Sequence, residues 1–141
     1  MISAKLVENF GAEIDGSSGQ HPSPSEELSK RFTDLVGGAF DATSPFAPES
    51  YDAAALIMLA MQAAGSAESA DFASKIMDVA NAPGEKIQSG ELAKGLEILK
   101  AGGEIDYVGA SDVELIGPGE AAGNYRVVGF EGGKEMTAGR K

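Results

Sequence analysis

"PFAPESYDAAALIMLAMQAAGS", Pro45 to Ser66, is the most apolar stretch of the sequence, and its reading decides the fold. Pro48 suits the first turn of a helix, where its fixed φ fits and its missing N–H is not needed. Glu49 and Asp52 suit the positive end of the helix dipole. Apolar residues then run unbroken from Ala53 to Met61, and Gly65 is a natural stop. Leu56, Ile57, Met58, Leu59 and Met61 cover nearly every angle of this helix, a pattern that predicts burial on all sides. A spanning helix needs about 20 mainly apolar residues, and Gln62 and Gly65 interrupt this one too early. Met58 and Met61 read as core filler and not as a cofactor contact. A protein core is the remaining setting.

Composition frames that core. The chain has 141 residues, 43% hydrophobic and 23% charged, which places it with ordinary globular domains. A net charge of −11 argues against nucleic acid, whose phosphates demand a basic patch, and disfavours anionic membrane surfaces. With no cysteine, disulfides, thiolate metal sites and cysteine nucleophiles are excluded. The start, "MISAKLVENFGAEIDG", lacks the long apolar core of a signal peptide. The expectation is either a cytoplasmic protein or a chain that does not start at its natural N-terminus.

Along the chain, Ala4 to Ile14 is weakly strand-like, and "GSSGQHPSPS" reads as a loop. Ser23 and Glu26 form a capping-box pattern around Pro24, followed by Leu28, Phe32, Leu35 and Val36 at helical spacing up to Gly37-Gly38. A third helix is expected from about Ser69 to Ala80, with Phe72, Ile76 and Val79 inward and Pro83 forbidding continuation. "APGEKIQSG" reads as a turn, and a fourth helix carries Leu92, Leu96 and Leu99 to Gly102-Gly103. The period then alternates, Val113 and Leu115 against Tyr125 and Val127 across "GPGEAAG", which predicts a β-hairpin. The tail "GGKEMTAGRK" is expected to fray. About four helices and a hairpin supply too few strands to cover a helix buried on all sides. The pattern reads as part of a larger α/β structure.

No catalytic constellation stands out. His21, the only histidine, sits among Ser, Gly and Pro, so a Ser-His-Asp triad or a multi-histidine metal site has little support. "GPGEAAG" lacks the following helix that a dinucleotide loop requires, and "APGEKIQSG" lacks P-loop spacing. The carboxylate pairs Glu26/Glu27, Glu104/Asp106 and Asp112/Glu114 have no recognisable context. The chain reads as no enzyme, with no catalytic residue, no cofactor and no metal.

Two stretches taken together carry a resemblance. Phe46 followed by "ESYDAAALIMLAMQAAGS", and "PGEKIQSGELAKGLEILKAGGEIDYVGASDVELIGPGEAAGNYRVVGFEGGK", are similar to the C-terminal portion of ABC-transporter substrate-binding proteins of the branched-chain amino-acid type. The "YDAA" helix alone would be weak; with "EIDYVGAS" and the closing hairpin at suitable spacing it is fairly specific. The family often has an Asp-rich turn in that hairpin where this chain has "GPGEAAG", so no cation is inferred there.

The resemblance implies an α/β fold, a partial Rossmann-like lobe of a type I periplasmic binding protein. Residues 1–20 would be strand and loop, 21–104 the helical part of one lobe, and 105–141 a hinge-crossing β-hairpin and tail. It further implies a periplasmic location, a small amino-acid ligand such as leucine, isoleucine or valine, hinge closure between two lobes, and ABC permease subunits as partners. Neither nucleic acid nor membrane insertion is expected. One residue carries over: Phe46, in the segment where the family places an aromatic against the ligand side chain. The alternative at Phe46 is that it merely caps the buried helix. A ligand-sensing domain of a receptor or regulator, and a small stand-alone interaction protein, are the other readings. A fragment exposing the surface meant for missing layers should form a homo-oligomer or an element-swapped dimer.

Overall fold

The computed structural model describes residues 4–81 and 83–140. The chain divides into two compact units, one built from the residues up to Pro24 together with those from Asn124, the other from Ser25–Gly123.

The Ser25–Gly123 unit is organised around the apolar stretch. It contains α2 (Glu26–Val36), α3 (Ala47–Ala64), the short α4 (Ser69–Phe72), α5 (Lys75–Asn81), β2 (Glu85–Gln88), α6 (Leu92–Lys100), β3 (Ile105–Gly109), β4 (Glu114–Gly117) and β5 (Glu120–Ala122). β2 and β3 are parallel, joined through α6, which makes a β-α-β unit. α3 buries Pro48, Asp52, Ala55, Leu56, Leu59 and Ala60, positions at helical spacing on one face. That face packs with Val79 and Ala80 of α5, Ile87 of β2, and Ile105 and Tyr107 of β3. α6 approaches closely because Gly95 has no side chain: a Cβ there would lie 3.0 Å from Leu59 Cδ2. A second cluster joins Phe32 of α2, Ala42 and Ala110, with Val36, Ala47 and Tyr51 against it. The Tyr51 ring meets Phe32 edge-on at 5.4 Å.

Several expectations need correction. α3 is not buried on all sides: Ile57 is 40% and Met58 42% exposed. Within this unit the strands, α5 and α6 cover one face of the helix, and the stripe through Ala53, Ala54, Ile57 and Met58 stays open. "APGEKIQSG" is not merely a turn, because Glu85–Gln88 pair with Ile105–Gly109 and bury Ile87. The expected third helix breaks into α4 and α5. The cap of α2 is Ser25 and not Ser23; its hydroxyl accepts from the Leu28 N–H at 3.3 Å. β4 pairs with β5 across Pro118–Gly119, and the Tyr125 segment belongs to the other sheet. The Asn81 amide bonds both the N–H and the C=O of Leu115, taking the place of a neighbouring strand along β4.

The other unit contains α1 (Ala4–Phe10), a 3-10 turn (Gly11–Ile14), β1 (Ser18–Pro22), β6 (Tyr125–Glu131) and β7 (Lys134–Arg140). Its sheet is antiparallel in the order β1-β6-β7. The strand expected over Ala4 to Ile14 is helical, and β1 lies in the segment read as loop. The tail expected to fray is β7. Its turn explains this: Gly132 and Gly133 have φ of 59° and 68°, the left-handed pair that matches hairpin twist. The Asp15 carboxylate accepts both their N–H groups at 2.9 Å, which closes the turn.

The two faces of α3 differ sharply in what they should contribute. Leu59→Ala empties a fully buried site and should cost ~2–5 kcal/mol in urea denaturation. Met58→Ala, one residue earlier on the open face, should stay within ~0.5 kcal/mol when measured at a dilution that keeps the chain monomeric. A loss at Met58 approaching that at Leu59 under those conditions would show the face to be covered within the single chain.

Candidate functional site

The parallel pair delivers two carboxyl ends side by side, with the Ser89 N–H donating to the Gly109 carbonyl at 3.2 Å. In open α/β sheets ligands are taken outside this edge. Three helices meet it. From α2, Arg31 Nε donates to the Ser89 carbonyl at 2.9 Å and its Nη2 lies 3.4 Å from Glu91 Oε1. Glu91 Oε2 in turn accepts the Gln88 N–H at 2.9 Å, just before α6. From α3, the Tyr51 hydroxyl accepts the Gly90 N–H at 3.1 Å. The Ser89 hydroxyl is buried there without a hydrogen-bond partner among the described residues.

Asp52, the next residue of α3, is the centre of the arrangement. It is 2% exposed, and among the described residues no cation pairs with it. Its oxygens instead accept from the Tyr107 hydroxyl at 2.8 Å, the Ala110 N–H at 2.8 and 3.0 Å, the Ser111 N–H at 2.7 Å and the Ser111 hydroxyl at 2.6 Å. Every partner donates and both oxygens only accept, which is how a buried carboxylate is tolerated. The backbone is shaped to allow it. Gly109 has φ 65°, and a Cβ there would sit 2.3 Å from Asp52 Oδ1 and 2.7 Å from Tyr107 Cε1. Only glycine satisfies both the angle and the space. Burial first, then the neighbouring Asp52 charge and hydrogen bond, raise the Tyr107 hydroxyl far above the ordinary phenol range. It therefore stays a donor at any pH near neutral.

Phe46 stands at the head of the same helix. Its φ is 66°, a left-handed conformation that a bulky side chain adopts at a cost of roughly 1–2 kcal/mol. Its carbonyl accepts both the Ser50 N–H (2.9 Å) and the Ser50 hydroxyl (2.7 Å), and its side chain is 46% exposed. An aromatic ring is thus held outward by a strained backbone.

The remaining candidates lie elsewhere. His21 is not a solvated loop residue: it lies in β1, half-buried, with Nδ1 bonded to the Pro22 carbonyl at 2.9 Å. Its Nε2 accepts from Arg126 Nη2 at 2.7 Å, and that guanidinium pairs with Glu135 at 2.9 Å. The chain His21–Arg126–Glu135 ties β1, β6 and β7 together. Among the described residues no three His, Cys, Asp or Glu side chains are grouped so as to hold a metal. A depression of about 550 Å³ lined by Lys75, Asn81, Leu99 and Glu104 sits at the amino end of β3, away from the strand ends just described.

No family model matches the chain, and no curated protein does. Among solved structures, the crystal structure of a leucine binding protein LivK from Thermotoga maritima is similar, with TM-score 0.61 over 96% of this chain and 16% sequence identity. The fold is the type I periplasmic binding fold. The chain spans 33% of the length of that structure, so it corresponds to part of one. No helix among the described residues is long and apolar enough to cross a membrane.

Sequence reasoning named Phe46 and set Asp52 at the positive end of the helix dipole, but Asp52 lies beyond the first turn and bonds the β3 turn instead. No role was given to Tyr51, Tyr107 or Ser111, although "YDAA" and "EIDYVGAS" were both singled out. One signal was available: Asp52 falls on the spacing of Pro48, Ala55, Leu56 and Leu59, and a charge on a buried helix face must have partners.

Tyr107→Phe removes one donor from a buried carboxylate and should cost about 1–2 kcal/mol at neutral pH. Because the folded pKa of Tyr107 lies above its ordinary 10.0, the hydroxyl's contribution is complete below about pH 10 and is lost as pH rises beyond it. Urea denaturation at stepped pH should show the difference between wild type and variant shrinking above pH ~10. A difference that grows there would contradict the assignment.

Proposed function

We propose that this chain is the C-terminal portion of a solute-binding protein that takes branched-chain or other small amino acids for an ABC transporter. The observation that carries the reading is the head of α3. It is fastened across the carboxyl ends of two parallel strands, the ligand edge of α/β folds, and presents an exposed aromatic ring from a strained residue. The similarity to a leucine binding protein supports the same class of ligand.

In this reading Phe46 contacts the aliphatic part of the ligand, an apolar contact that gives affinity without strong discrimination. Groups for the ligand's ammonium and carboxylate come from the rest of the protein, which closes on the ligand by a hinge movement. The setting is extracytoplasmic, with permease subunits as recipients. The open stripe of α3 through Ile57 and Met58 favours association of the isolated chain with a second copy; a monomer by light scattering at micromolar concentration would count against this.

Titration calorimetry tests the ligand assignment. The full protein carrying this chain should bind leucine, isoleucine or valine at micromolar affinity or better, and should not take glutamate. Phe46→Ala should weaken binding ~10-fold or more, whereas the 141-residue chain alone should bind weakly or not at all. Affinity unchanged by Phe46→Ala would remove that residue from the site, and no affinity for any aliphatic amino acid would remove the reading itself.

A further inference from the structure

We propose that the turn Gly109–Asp112 is a carboxylate receptor whose resident ligand is the Asp52 side chain, and that this occupancy fixes where α3 presents Phe46. The positioning half rests on the role given to Phe46 above; the receptor half stands independently of it.

All the donors come from one short stretch. Tyr107 Oη, Ala110 N, Ser111 N and Ser111 Oγ belong to the end of β3 and the turn after it, and they converge on one carboxylate from a helix more than fifty residues earlier. Successive backbone N–H groups beside a left-handed residue form an anion-binding concavity. Here the left-handed residue is Gly109, whose missing Cβ leaves the concavity open. Asp112 closes the turn in a second left-handed conformation, φ 62°. The receptor is therefore made by β3 and its turn, and its ligand by α3.

Asp52 is not a helix cap. It lies in the second turn of α3 and bonds another element, leaving the N–H groups of its own helix untouched. No cation balances it among the described residues, so what the turn recognises is the pair of oxygens. Tyr51 bonds the end of β2 through Gly90, while Asp52 bonds the end of β3. Two consecutive residues thus fasten the helix to two strand ends. Phe46 lies six residues upstream of Asp52 and takes its place from both.

If the turn is a receptor, removing its ligand should leave a site that accepts a free carboxylate. Asp52→Ala keeps Cβ and deletes a group the size of formate. The variant should melt below wild type, and sodium formate should raise its midpoint by roughly 3–6 °C over sodium chloride of equal ionic strength. Wild type, its receptor already occupied, should show no such difference. Adding Ser111→Ala to Asp52→Ala should shrink the formate effect.

The sequence has no tryptophan, so Phe46→Trp supplies a single reporter at the presented position. In that background Asp52→Ala should shift the tryptophan emission and anisotropy, and formate should return both. Formate acting equally on wild type and variant, or an Asp52→Ala chain unfolded in formate as in chloride, overturns the receptor. Restored melting with an unmoved tryptophan overturns the positioning. Failure of amino-acid binding in the full protein would leave the melting result as it is, so the two readings fail separately.

Discussion

The Asp52 carboxylate sits in the interior with no cation beside it, and most of the Ser25–Gly123 unit is arranged to make that possible. A buried carboxylate left uncompensated costs several kcal/mol, a large part of the 5–15 kcal/mol that typically separates folded from unfolded. The compensation has to come from donors, and each donor here constrains something. The Tyr107 hydroxyl must reach the second turn of α3. The backbone at Gly109 must be left-handed to turn two N–H groups inward. α3 must enter at a height that brings its second turn level with the ends of the strands. Helix position, strand end and turn conformation are thus set by one side chain.

A related device appears in the other unit. Asp15, after the 3-10 turn, accepts both N–H groups of the Gly132–Gly133 turn and so closes the β6–β7 hairpin from outside it. In both units a carboxylate from one element satisfies the turn of another, and glycine supplies the backbone that exposes the donors. The difference is solvent. Asp15 is exposed, so water competes for the same bonds, whereas Asp52 is walled in by α3, β3 and the turn. The first helps to define a hairpin; the second fixes a helix.

This separation explains which features were legible in the sequence. The apolar run of α3, its Gly65 stop and the helix ending near Gly102 follow from local periodicity and are where they were expected. The strands that failed to show are those whose residues do not alternate. "SGQHP" becomes β1 because β6 lies beside it, and "KEMTAGR" becomes β7 because two glycines and Asp15 build the turn before it. The periodicity of α3 read as buried on all sides, while the count of strands already said that too few layers were present to cover it, and the open stripe through Ile57 and Met58 agrees with the count. "YDAA" and "EIDYVGAS" were visible as motifs, but their connection was not, since it runs between residues more than fifty positions apart. A charged residue on an apolar helix face states that partners exist; only the fold says which.

The open stripe and the clamp lie on the same helix, and the order of their constraints matters. Ile57 and Met58 look outward, and α3 would ordinarily need a layer on that side to be held in place. Here it is held from the strand side, by Tyr51 on the end of β2, Asp52 on the end of β3, and Leu56, Leu59 and Ala60 in the core between them. The position of Phe46 is therefore set by bonds within this unit and does not wait on whatever packs against the stripe. A binding aromatic can be pre-organised in this way by one part of a protein while the polar groups for its ligand come from another, which lowers the ordering cost met at binding. The strained φ of Phe46 fits that arrangement, because a backbone conformation costing roughly 1–2 kcal/mol persists only where its surroundings over-determine it, and two consecutive anchors on the buried face of the helix do so.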